Sequence, residues 1–161
     1  NYLPFMLKDS FAIQSTQNIG LVYIAYLLGA IASLLSPWLV KKSSNTFHLL
    51  AAVFAVYCLS IITMLWQNFI LFFIAFSVFC GAMFIIHSIA APLVNRISEA
   101  TTSVTNGLYV SFYYSGGALG SYLPGLIYQN FGQQAFLLLI LLVCVMGWGL
   151  VYSAKVGTKI T

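Results

Sequence analysis

The chain has 161 residues, 61% of them apolar and only 5% charged. A soluble domain carries about a quarter of its residues as charges, so a water-facing globule is excluded. The net charge of +4 comes from Lys8, Lys41, Lys42, Arg96, Lys155 and Lys159 against Asp9 and Glu99. Cations separated by such long hydrophobic blocks do not form the clustered footprint that nucleic acid requires, so no nucleic-acid partner is expected.

In chain order, Asn1 to Leu7 reads as the tail of an earlier span, and with no initiating Met the sequence reads as a fragment of a longer protein. No cleavable signal peptide is visible. Charge-free runs then cover 10–40, 43–95 and 100–154. A bilayer crossing takes about 20 apolar residues, which predicts spans at 17–40, 46–65, 69–91, 103–128 and 134–154. Polar links at Lys41 to Asn45, Gln67 and Asn68, Asn95 to Thr102, and Gln129 to Gln133 separate them. Segments this apolar must satisfy their own backbone groups in lipid, so helix is the expected form. The fold class is all-α, a polytopic helical membrane protein with the lipid bilayer as its surroundings.

The cations set an orientation. Lys41 and Lys42, Arg96, and Lys155 with Lys159 fall at alternate links and after the last span, while the links around Gln67 and Gln129 carry none. The positive-inside pattern places 41–45, 95–102 and the C-terminus in the cytoplasm. Lys8, beside Asp9, is the exception.

A shift of 87 residues lays the first full span over the fourth, with Gly20/Gly107, Leu21/Leu108, Tyr26/Tyr113, Gly29/Gly116, Pro37/Pro124 and Leu39/Leu126 identical. The two spans run in opposite directions, three apart, which is the signature of an inverted 3+3 repeat as found in secondary transporters.

Spans 46–65 and 134–154 are apolar all round and suit lipid-facing support. The other three carry small residues at four-residue spacing: Ala25, Gly29 and Ser33; Ser77 and Gly81; and Gly116, Gly117, Gly120 and Ser121. Small residues let helices approach closely in lipid, and Gly29, Gly81, Gly116, Gly117 and Gly120 are therefore helix-packing candidates. Smooth contacts of this kind also permit the sliding that alternating access needs.

His87 is the only ionisable side chain deep in an apolar span. An intramembrane titratable group is a candidate for substrate or proton handling, against the plainer reading of a structural hydrogen bond. Tyr113 and Tyr114 sit near mid-span, away from the interfacial belt where Tyr concentrates. Each wants a partner for its hydroxyl, or faces a water-filled cavity. Tyr26, the repeat partner of Tyr113, joins them. Arg96, Glu99, Lys41 and Lys42 are candidates for a cytoplasmic gate, or else plain loop charges. Pro37 and Pro124 are expected to kink or end their helices. Cys58, Cys80 and Cys144 have neither disulfide nor metal spacing. With no nucleophile–base pair, metal cluster or phosphate-cradling loop, neither an enzyme, a cofactor nor a metal is expected.

The stretch Pro92-Leu-Val-Asn-Arg-Ile-Ser-Glu99, followed by Asn106-Gly-Leu-Tyr-Val-Ser-Phe-Tyr-Tyr-Ser-Gly-Gly-Ala-Leu-Gly-Ser-Tyr-Leu-Pro-Gly125, resembles the tenth-to-eleventh helix region of major facilitator superfamily transporters, and most the bacterial twelve-span efflux type. The resemblance runs from the end of helix seven through helix twelve. It implies a six-helix half bundle, the C-terminal half of an inner-membrane transporter, with the N-terminal half and a small-molecule substrate as its partners. It also implies that helices seven and ten line the cavity and that eight and eleven flank it, which brings His87 and Tyr113 forward. The family's Gly-x-Leu-Ala-Asp-Arg-x-Gly-Arg-Arg loop is here Ser36-Pro-Trp-Leu-Val-Lys-Lys-Ser-Ser-Asn45: the positive charge is kept and the acid and glycines are lost.

Proton-coupled export of a small organic solute is the expected function. The alternatives are a uniporter and a truncated, non-transporting membrane protein. A channel is disfavoured, because no ring of pore-lining polar residues can be read.

Overall fold

A computed structural model describes residues 2–13, 15, 19, 20, 22–66 and 68–157, with side chains through 154. The first residues of the expected 17–40 span, the Gln67 link, the Lys155 side chain and Lys159 lie outside the described residues. Those described form helices and short connections: α1 (Leu3–Phe11), α2 (Ile24–Ser33), α3 (Ser36–Lys42), α4 (Thr46–Met64), α5 (Phe69–Ile97) and α6 (Thr102–Gly157).

Local chemistry sets where they begin and end. The Asn45 carboxamide accepts from the Phe47 N–H at 2.8 Å and so starts α4, and Asn68 accepts from the Leu71 N–H at 3.1 Å to start α5. Both satisfy amides that a helix N-terminus leaves without partners. α1 closes on Ala12 in the left-handed conformation, φ 54°. α6 is two helical arms broken at Gly132, with φ 78° and ψ −175°, a region only glycine enters readily.

The boundaries differ from expectation at four places. The tail at 1–7 continues as helix past Lys8 and Asp9 to Phe11. The 17–40 span is broken between α2 and α3 with a bend of 41°. Pro37 lies in the first turn of α3, where its missing N–H costs no hydrogen bond. α5 does not stop at 91 but passes through Pro92 to Ile97, so Asn95 and Arg96 are helical rather than in a link. Pro124 likewise sits inside α6 rather than ending it, and the break falls at Gly132, within the expected Gln129 to Gln133 link.

α4 has 19 residues, about 28 Å at 1.5 Å per residue, close to the hydrocarbon thickness of a bilayer. α5, at 29 residues, reaches about 43 Å and must tilt or project from the bilayer. α5 is the central helix. It packs against α2 and α4, and α4 packs in turn against the second arm of α6. Leu7, Ile61, Phe72 and Cys80 are fully buried at the junction of α1, α4 and α5, with Leu137 and Cys144 closing it from the second arm. A smaller cluster joins Phe47 and Leu50 to Ile89 and Leu93. In-span hydroxyls turn back on their own helices, Ser77 to the Phe73 carbonyl and Ser88 to that of Phe84, which satisfies them without water. The first arm of α6 is the least covered part, with Phe112, Tyr114 and Tyr122 each more than 60% exposed.

Candidate functional site

His87 is exposed on α5. Its Nδ1 is 2.8 Å from the Tyr109 hydroxyl on the first arm of α6. The Tyr113 ring stands 4.8 Å from the imidazole, and Tyr114 meets Tyr113 edge-on at 5.5 Å. Tyr109 and Tyr113 are four apart, so they stack on one helix face. The result is a titratable ring held between two phenols, with Tyr113 57% and Tyr114 70% exposed. The hydrogen bond to Tyr109 fixes the orientation of the imidazole.

Of the cavity candidates, His87, Tyr113 and Tyr114 come together. Tyr26 does not join them: its ring packs on Phe76 at 5.8 Å and Tyr23 at 5.8 Å. There it lines a separate aromatic cavity of about 180 Å³ with Tyr2, Phe72 and Phe79. Tyr109 was missed by the sequence reading, although its i, i+4 relation to Tyr113 was a usable signal.

Nearer the end that carries the cations, Asn95 donates to Asn106 at 2.6 Å and to the Ala91 carbonyl at 3.1 Å. Its Oδ1 is buried and, among the described residues, has no partner. Thr105 donates to Ser98 at 2.8 Å across the turn between α5 and α6. Lys41 and Arg96, far apart in sequence, line one cavity of about 680 Å³. Lys42 stands 5.0 Å over the Trp38 ring instead. Glu99 is exposed beyond the end of α5, and among the described residues no ion pair joins it to Arg96.

The glycines divide. A Cβ on Gly29 would stand 2.8 Å from Phe84 and 2.9 Å from the Cys80 backbone, and one on Gly81 would meet Ala32 at 3.7 Å. At Gly116, Gly117 and Gly120 a Cβ would meet nothing within 4 Å. At the opposite end of the bundle α1 is tied to α6: Tyr128 donates to Asp9 at 2.8 Å, Ser10 to Gln133 at 2.5 Å, and Tyr2 to the Ser121 carbonyl.

A family model of the Major Facilitator Superfamily matches residues 1–158, nearly the whole chain. The chain belongs to the major facilitator superfamily. Its all-helical architecture, with several long apolar helices, is that of a helical membrane protein of this superfamily. It is similar to an "Uncharacterized transporter" of Buchnera aphidicola subsp. Schizaphis graminum (strain Sg), at 23% identity over 149 residues, which is 91% of this chain. The chain spans 36% of the length of that relative. No solved structure matches it.

Proposed function

We propose that this chain is the C-terminal half of a secondary transporter, running from the end of helix seven through helix twelve. The whole transporter carries a small organic solute across the bacterial inner membrane by alternating access, in the export direction and driven by protons. The observation that carries the reading is the cluster of His87, Tyr109 and Tyr113. In a superfamily member, a titratable group exposed on a central helix belongs where two halves would enclose a path. The uncovered first arm of α6 fits the same arrangement, with the N-terminal half as its cover.

The remaining assignments follow from that frame. Tyr113 and Tyr114 contact solute, His87 contacts water along the same path, and Lys41, Lys42, Arg96 and Glu99 stand at the cytoplasmic mouth. The one carboxylate in a described helix is Asp9, near the end of α1 and bonded to Tyr128, and the principal proton-carrying acid is assigned to the other half. His87 modulates coupling.

The test reconstitutes the full-length protein in proteoliposomes with an imposed proton gradient and a panel of amphipathic solutes quantified by mass spectrometry. Uphill movement abolished by a protonophore is the expected result. Equilibration that ignores the gradient would leave a uniporter, and no movement of any solute would leave a non-transporting protein.

A further inference from the structure

The 680 Å³ cavity that holds Lys41 and Arg96 lies between the broken α2–α3 span, the start of α4 and the last turns of α5. Its wall is mainly apolar, from Leu34, Val40, Ile89 and Leu93, with hydroxyls from Ser36, Thr46 and Ser88. The size falls within the range of small-molecule sites and far exceeds what a bare anion fills. One helix interruption shapes it: the 41° bend before Pro37 keeps α3 off the line of α2, and Pro92, inside the unbroken α5, stands in the opposite wall.

The electrostatics have one sign. Two cations line the cavity and no carboxylate does. The first residue of α4 also lines it, and a helix start adds positive potential. A cation near a helix end is explained by the macrodipole alone, since Lys41 and Arg96 each lie in the last turn of their own helix. The macrodipole does not explain why both converge on one cavity with an apolar wall.

Trp38, next in sequence to the lining residue Pro37, is 57% exposed, with the Lys42 ammonium over its ring. Trp concentrates at the headgroup level. A basic pocket between membrane helices at that level, continuous with an apolar wall, matches an anionic lipid headgroup and the first carbons of its acyl chains.

We propose that this cavity binds the phosphodiester headgroup of an anionic membrane lipid through Lys41 and Arg96, with the chains along Leu34 and Val40. Arg96 supplies a planar fork of donors for two phosphate oxygens, and Lys41 a point charge. The site is distinct from the His87 cluster, and its occupancy does not depend on what the protein transports or on whether it does.

The experiment titrates the full-length protein in a neutral detergent with phosphatidylglycerol, with phosphatidylcholine of the same chains, and with inorganic phosphate, reading the thermal midpoint. Phosphatidylglycerol is expected to raise the midpoint of the wild type and phosphatidylcholine to leave it unmoved, a comparison that needs no variant. Lys41→Gln and Arg96→Gln should each weaken phosphatidylglycerol about fivefold, and the pair about 30-fold. Equal response to the two lipids would overturn the proposal. So would a Lys42→Gln loss as large as that of Lys41→Gln, which would mean general surface attraction. A shift with inorganic phosphate that depends equally on Lys41 and Arg96 would identify a soluble anion as the ligand and overturn the lipid assignment.

Discussion

Gly29→Ala tests the packing of α2 on α5 most directly. The added methyl would sit 2.8 Å from Phe84 Cδ2, 2.9 Å from the Cys80 carbonyl carbon and 3.0 Å from its oxygen. Carbon atoms pack at about 3.5–4.0 Å, so the shortfall is at least about 0.5 Å. The Phe84 ring can turn aside, but the Cys80 backbone lies inside α5 and cannot. The two helices must separate, and overpacking of this kind costs about 1–3 kcal/mol.

Alanine is also a better helix former than glycine by about 1 kcal/mol, which partly hides the loss. Gly116→Ala carries the same propensity gain with nothing within 4 Å of its Cβ. The difference between the two variants therefore isolates the clash. Cys58, Cys80 and Cys144 are free and buried, so a fluorogenic maleimide reports unfolding of the full-length protein in detergent. Gly29→Ala should melt on the order of 2–10 °C below Gly116→Ala. Adding Phe84→Ala should not restore it, because the backbone contact remains. Coincident melts for the two glycine variants would refute the reasoning, and rescue by Phe84→Ala would show that the ring, not the backbone, is the obstacle.

Other outcomes follow from the same geometry. Gly132→Ala places a Cβ where φ is 78° and ψ −175° and should cost about 1–3 kcal/mol, read as a lower maleimide melt; an unchanged melt would refute the strain. Gly125→Ala drives a Cβ into the Tyr2 phenol, the tip of a side chain rather than backbone. Its loss should therefore be largely recovered in a Tyr2→Ala background, and a double-mutant cycle without coupling would contradict that. His87→Gln should reduce uphill transport while leaving solute exchange across equal proton concentrations within about twofold. Equal loss of both would place His87 in solute binding rather than coupling. Tyr109→Phe deletes the 2.8 Å contact to His87 Nδ1 and should lower the rate of uphill transport in the same sense as His87→Gln; an unchanged rate would mean the hydrogen bond is only structural.

Composition by itself determined the class of this protein. Eight charged side chains among 161 residues leave helix in lipid as the one way to satisfy the backbone of such apolar runs, and the Asn45 and Asn68 caps mark where two of the helices begin. Pro92 is where local reading failed. A proline reads as a helix boundary, yet α5 continues through it to Ile97, because packing of Ile89 and Leu93 on Phe47 and Leu50 holds both sides of it in one helix. Tertiary structure alone decided which small residues meet: Gly29 rests on the Cys80 backbone while Gly116, its partner at the 87-residue shift, faces nothing within 4 Å. It also decided that Tyr109 bonds to His87 and that Lys41 shares a cavity with Arg96. The physical reason is common to all three. In lipid the outward side of a helix is as apolar as its packed side, so hydrophobicity marks no inward face, and rotation and crossing are fixed only by how the helices fit together.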